Sequence, residues 1–312
     1  AGLYDHAGLH NHAGLYNHAC LYNRAFMPAH YPIAAITDEF SPDIEVAVRS
    51  MSGIGMTGAE LRMVFGKNIV DLTDEELDRA IAIVRAAGLE IISISSPLLK
   101  CVLPDAPEID ARFQQDMFAA KHSFDDQPRL TARAFEIARR TGARIIRVFS
   151  YWRTVDPDAC FDRVVAALRD LADQAAAHNV IIGLENEHAC NIATGAETAR
   201  VLAALDHPNL KVVWDPANAV VSGEKAVPEG YGKLPVARIQ HVHAKDCTMD
   251  GHKPLWCAIG DGVVGWREQV DDLIRDGYKG WISLETHWPG PGGNKHEASM
   301  ICGKRLIELV QY

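Results

Sequence analysis

The stretch PIAAITDEFSPDIEVAVRSMSGIG, residues 32–55, decides the fold. It opens with a short apolar run carrying β-branched residues, which reads as a buried strand. It closes with apolar residues at helical spacing. Ser41 can cap that helix, and Pro42 suits its first turn. The join between the two, TDEFSPD at residues 37–43, contains no glycine. An open doubly wound sheet that holds a dinucleotide uses a glycine-rich phosphate turn at that point. This chain lacks one, which leaves a closed arrangement as the better reading if the unit recurs.

The unit recurs down the whole chain. GAELRMV (58–64) leads to LTDEELDRAIAIVRAAG (72–88), with Thr73 as N-cap, Glu76 completing a capping box and Gly88 as a stop. LEIISISS (89–96) leads through a long loop to RLTARAFEIARRTG (129–142), and ARIIRVFS (143–150) to a helical stretch over 156–179. VIIGLEN (180–186) precedes TGAETARVLAALD, and LKVVWDP (210–216) precedes a poorly helical segment rich in Gly and Pro. RIQHVHAKD (238–246) and GWISLETH (280–287) begin the last two units. Strands alternating with helices imply parallel pairing, and eight units fit a single α/β domain, a (β/α)8 TIM barrel over residues 31–312.

Ahead of the barrel stand four six-residue units, AGLYDH, AGLHNH, AGLYNH and ACLYNR. Period six matches neither helix nor strand. Residues 1–30 therefore read as a low-complexity N-terminal extension outside the fold, rather than as a histidine-based metal tract. The chain is 48% hydrophobic and 23% charged, ordinary for a globular protein, and its formal net charge is -10. That balance argues against a nucleic-acid-binding surface. Seven scattered cysteines form no C-x-x-C pair, which suits a reduced, cytoplasmic protein. There is no basic-then-apolar signal pattern and no membrane-length apolar run.

A barrel of this kind places its active site at the C-terminal ends of the strands. Those ends carry, in order, Asp38 and Glu39; Glu60 and Arg62; Ser95 and Ser96; Arg147 and Ser150; Glu185, Asn186 and His188; Asp215 and Asn218; His243 and Lys245; Glu285 and His287. The last four strands thus deliver Glu185, Asp215, His243 and Glu285. Three carboxylates packed together would repel one another, and a divalent metal removes that conflict. A mixed oxygen and nitrogen set suits Mn, Mg, Co or Zn. In HVHAKD (241–246), period two puts His241, His243 and Lys245 on one face. His243 is nearer the mouth and is the expected ligand. His241 lies about 6.6 Å deeper, two strand rises down, and is expected to be hydrogen-bonded inside the barrel. Lys245 is expected above the metal, holding a substrate oxygen.

The segments GLENEH (183–188), WDPAN (214–218), HVHAKD, IGDGVVGW (259–266) and WISLETH (281–287) together resemble the xylose isomerase-like TIM-barrel superfamily. Within it they are most similar to the sugar phosphate isomerase/epimerase branch, which includes ketose 3-epimerases and inosose isomerases and dehydratases. The resemblance covers roughly residues 33–312. It implies one divalent metal, most often Mn, on Glu185, Asp215, His243 and Glu285, with Glu185 and Glu285 also serving as acid and base. Asn218 stands where those epimerases place a histidine, and their arginine after strand 7 has no counterpart in CTMDGHKPLW (247–256). DNA-repair endonucleases of the superfamily use extra histidines on early strands, which are missing from the first three strand ends here.

The expected activity is that of a metal-dependent isomerase or epimerase acting on a small-molecule sugar or keto-sugar. It would take a proton alpha to a carbonyl and pass through an enediolate. The alternative is a lyase or dehydratase acting on a keto-sugar, keto-inositol or keto-glycoside, which shares the first step. Lys245, His188, Arg147, His287, Asn218 and Glu60 are the candidates for holding substrate, with Arg153 behind them. No nucleic acid or membrane partner is expected, and a homo-oligomer is left open.

Overall fold

The structure, a computed structural model, describes residues 31–113 and 122–311. The expected extension at residues 1–30 lies outside the described residues. Eight parallel strands close into a barrel: β1 (Ile33–Ile36), β2 (Gly58–Leu61), β3 (Glu90–Leu98), β4 (Ile145–Val148), β5 (Ile181–Glu185), β6 (Leu210–Trp214), β7 (Ile239–Ala244) and β8 (Trp281–Leu284). The ring is sealed where Ile33 of β1 pairs with Ile282 of β8. A helix follows each strand: α1 (Ile44–Gly53), α2 (Asp74–Ala86), α3 (Gln127–Thr141), α4 (Phe161–His178), α5 (Gly195–Ala204), α6 (Pro216–Val221), α7 (Trp266–Asp276) and α8 (Lys295–Val310). The strands are apolar along most of their length because one face meets the barrel interior and the other meets the helices. Among the described residues, no helix is long and apolar enough to cross a membrane.

Local chemistry explains the element ends. Thr73 and Glu76 form the reciprocal capping box at the start of α2, and Gly88 follows that helix with φ +76°. The cap expected at Ser41 lies instead at Asp43, whose side chain accepts from the N–H groups of Glu45 and Val46; Ser41 Oγ accepts from Asp43 N. A carboxylate two residues later in the turn reaches those donors better than the hydroxyl does.

The strand expected over residues 58–64 also divides. Only Gly58–Leu61 joins the barrel, while Met63–Val64 turns away to pair antiparallel with Lys67–Asn68. The cause is Asp38: it binds the Arg62 guanidinium and accepts from Met63 N at 3.1 Å, drawing the chain off the barrel axis. Gly58 is fixed by packing, since a Cβ there would sit 2.5 Å from the Trp281 ring. After β6 the chain forms only the short α6 and three brief helical turns between Ala226 and Arg238, which matches the Gly- and Pro-rich sequence there.

Candidate metal centre and active site

Glu185 ends β5, Asp215 follows β6, His243 lies on β7 and Glu285 follows β8. All four are buried, and one ligand atom from each falls within 4.8 Å of the others. Asp215 is held from both sides: its own N–H donates to Asn186 Oδ1 at 2.8 Å, and its Oδ1 caps α6 by accepting from Asn218 N at 2.8 Å. His243 turns Nδ1 toward the carboxylates, 3.2 Å from Glu185 Oε1 and 3.4 Å from Glu285 Oε2. Its other nitrogen, Nε2, faces Glu60 Oε1 at 3.2 Å. Glu60 is fixed in turn by His241 Nε2 at 2.7 Å and by Ser95 Oγ, which donates at 3.0 Å. A proton on Nε2 shared with Glu60 leaves Nδ1 able to ligate, the arrangement in which a second carboxylate orients a metal-binding imidazole.

The donors fit a divalent ion. Glu185 Oε2 and Asp215 Oδ2 are buried and make no hydrogen bond among the described residues. Each faces a cation, Arg147 Nη1 at 3.3 Å and Lys245 Nζ at 2.7 Å respectively. Burial pushes the Asp215 carboxyl up, and the neighbouring Glu185 and Glu285 add to this against the pull of Lys245. Burial alone would lower the Lys245 ammonium and the His243 imidazolium. The surrounding carboxylates outweigh it, so both stand well above their ordinary values. Such a cluster of anions, short of hydrogen bonds and leaning on every nearby cation, is matched to added positive charge.

The structure rearranges the expected substrate contacts. Lys245, expected above a bound metal, lies among the cluster carboxylates: Nζ is 2.7 Å from Asp215 Oδ2 and 3.0 Å from Glu285 Oε2, and the residue is 1% exposed. Glu60, expected to meet substrate, is fully buried and committed to His241, His243 and Ser95, because its strand position lies a layer below the mouth. Arg147 spans Glu185 and the Ser95 carbonyl, 4.7 Å from the Phe149 ring centroid. His188 Nδ1 lies 2.8 Å from Asn218 Oδ1 and 2.8 Å from Glu187 Oε1. Asn218 Nδ2 donates to the Asn186 carbonyl at 2.9 Å, with Glu185 Oε1 at 3.4 Å. His287 stays partly open to solvent and packs its ring at 4.7 Å against Trp256. Arg153 is turned aside to Glu197 at 3.0 Å.

Three groups to which the sequence reading gave no role shape the centre. Arg62 ties Glu285 (2.9 Å) to Asp38 (2.8 Å) and Glu39 (2.6 Å), fastening the last of the four cluster residues to the opposite side of the β1 seam. An arginine just after one strand, beside a carboxylate pair just after its neighbour, was the available signal. Asp246 accepts four backbone N–H groups, from Cys247, Gly260, Gly262 and Val264, and so binds the 258–264 loop beneath Lys245. A Cβ on Gly262 would lie 2.1 Å from Asp246 Oδ1, which explains the glycine in IGDGVVGW. Trp256 sits on an antiparallel hairpin, Asp246–Asp250 with Lys253–Cys257, which forms a wall of the mouth beside His287 and 5.8 Å from Lys245 Nζ.

Known proteins share this architecture. An inosose dehydratase from Bacillus licheniformis is 24% identical over 164 residues, 48% of this chain and 54% of that protein. The chain thus spans about half the length of such relatives. The IOLI protein, solved with a zinc atom, superposes with a TM-score of 0.70 at 14% identity, covering 89% of this chain and 98% of that one. A 3-keto-D-glucoside 4-epimerase from E. coli superposes with a TM-score of 0.62 at 16% identity, covering 89% and 100%. The sequence profile of one family runs through residues 48–305, nearly the whole barrel. By that match and by its closed eight-stranded fold, the chain belongs to the xylose isomerase-like TIM barrel family.

Proposed function

We propose that this chain is a divalent-metal-dependent isomerase or epimerase that takes a proton alpha to a carbonyl of a sugar or keto-sugar. One observation carries the reading: two glutamates, Glu185 and Glu285, reach one point from strands three apart, with Asp215 and His243 between them. Glu185, Asp215, His243 and Glu285 would hold a divalent cation, which would supply Lewis-acid polarisation of the substrate carbonyl. Manganese is our first choice, with zinc, magnesium and cobalt compatible with the same donors.

Glu185 and Glu285 then act as the proton-transfer pair. One accepts the α-proton as a carboxylate, and the other, which must enter the step as the carboxylic acid, gives its proton to the enediolate carbon. Return to the opposite face inverts a centre; return to the adjoining carbon moves the carbonyl. Arg147 beside Glu185 and Arg62 beside Glu285 hold each carboxylate in place. His287 and Trp256 line the outer wall, where they would hold a hydroxyl and a sugar face, and His188 with Asn218 fixes the side next to Glu185.

The second reading, elimination of a β-hydroxyl from a keto-inositol or keto-glycoside, is favoured by the inosose dehydratase relatives. It begins with the same deprotonation. Incubation of the Mn-loaded protein with ketoses, keto-inositols and 3-keto-glycosides in D2O, followed by proton NMR and ultraviolet absorbance, separates the two. Deuterium entering an α-position with the carbon skeleton retained supports isomerisation or epimerisation. A growing enone absorbance supports elimination. No exchange with any member of the panel overturns both.

A further inference from the structure

We propose that Lys245 is a tethered counter-cation of this centre: its ammonium competes with the divalent ion for Asp215 and Glu285, so it leaves the ligand set when the ion binds. The inference rests on the metal site proposed above and concerns how that site is charged and discharged.

The geometry is the starting point. Lys245 Nζ lies 2.7 Å from Asp215 Oδ2 and 3.0 Å from Glu285 Oε2. Both carboxylates belong to the four-residue cluster. An ion bound to those oxygens at about 2.0–2.2 Å would stand no more than about 5 Å from Nζ, with no solvent between them. Lys245 is 1% exposed, so water cannot screen the two positive charges.

Two of the carboxylates have a second cation besides Lys245 or in its place: Arg147 faces Glu185, and Arg62 shares Glu285 with Asp38 and Glu39, whereas Asp215 Oδ2 faces Lys245. Lys245 is therefore the charge whose removal makes room for an ion. It is also the one able to move. The backbone around it is pinned, because Trp266 Nε1 donates to the Lys245 carbonyl at 2.9 Å and Asp246 holds the following loop. The side chain is a flexible four-carbon stem. Nζ already stands 5.8 Å from the Trp256 ring centroid on the wall of the mouth, so a swing toward that wall keeps the ammonium against an aromatic face.

Two consequences follow. Before an ion binds, Lys245 keeps the carboxylates from repelling one another. After it binds, the ammonium is presented toward the mouth, so that contact between Lys245 and a substrate oxygen is made only in the loaded protein.

The test uses the full chain with Mn as the probe. Isothermal titration of the chelated protein should show Lys245→Met and Lys245→Gln binding Mn at least tenfold more tightly than wild type. The midpoint of thermal unfolding of the chelated variants should fall, so that the rise on adding Mn becomes larger. A lysine that merely supports the ligand geometry gives the reverse, weaker binding on substitution. Weaker or unchanged affinity in both variants therefore overturns the proposal.

Should neither variant fold without metal, wild type decides. Reductive methylation read by mass spectrometry should mark Lys245 faster with Mn than with chelator; equal protection in the two states overturns the proposal. Failure of wild type to bind Mn, Mg, Co or Zn is a different result, which removes the metal site itself.

Discussion

Replacing Asp246 with asparagine tests whether one buried carboxylate holds the wall of the site together. Its Oδ1 accepts from Cys247 N and Val264 N at 2.9 and 3.3 Å, and its Oδ2 from Gly260 N and Gly262 N at 2.9 and 3.2 Å. Asparagine keeps one oxygen and turns an NH2 group toward the other two donors. Two hydrogen bonds to a charged acceptor are lost, each worth about 1.5–3 kcal/mol, or about 3–6 kcal/mol together. Burial opposes this, since it pushes the Asp246 carboxyl above the usual range, and removing the charge relieves that penalty. The lower end, about 3 kcal/mol, is therefore expected. For a domain of this size, that lowers the unfolding midpoint by about 6 °C at roughly 2 °C per kcal/mol. Calorimetry of Asp246→Asn beside wild type measures it. Because the 258–264 loop and the Trp256 hairpin both depend on Asp246, substrate KM should rise more than metal affinity changes. A midpoint within 1 °C of wild type would show that the four N–H groups find water or other acceptors, and the reasoning would fail.

Other expectations are as direct. Glu285→Gln should cut turnover by about 10²–10⁴-fold and weaken metal binding while the fold survives, because Arg62 keeps Asp38 and Glu39, and Lys245 keeps Asp215; full activity would refute the assignment. Glu60→Gln should lower metal affinity about 10–100-fold without touching substrate, through loss of the charge that orients His243, as titration calorimetry would show. Cys101 and Cys247 have thiols pushed up to about 12, by burial first and then by Asp126 and Asp246 respectively. At pH 8 they should alkylate about 1000-fold more slowly than an exposed peptide thiol, with the difference abolished in denaturant, by mass-spectrometric counting of modified sites.

Much of the candidate site was legible because strand ends are. A strand followed by a helical pattern shows where the chain leaves the barrel, and the residue at that point faces the mouth. Glu185, Asp215, His243 and Glu285 could be named on that ground, and the structure brings them together. Period two also separated His243 from His241, which sits deeper against Glu60. Less legible were contacts set by the closing of the barrel. Arg62 and Glu285 lie 223 positions apart in the chain, and nothing in either segment announces the other. Glu60 looked like a mouth residue because strand 2 delivers it beside Arg62, yet across the barrel it is taken up by His241 and His243.

The amino-acid sequence by itself determined the eight alternating units, the parallel pairing they require and the candidate ligand types at the last four strand ends, because periodicity and capping act over a few residues. Only the tertiary structure decided which atoms meet: Nδ1 rather than Nε2 of His243 facing the carboxylates, Glu60 behind it, and Lys245 among the ligands rather than above them. Those outcomes depend on barrel register and on charge neutralisation among groups far apart in the chain. Coulombic pairing in a buried site is settled by distance in space, which no local pattern encodes.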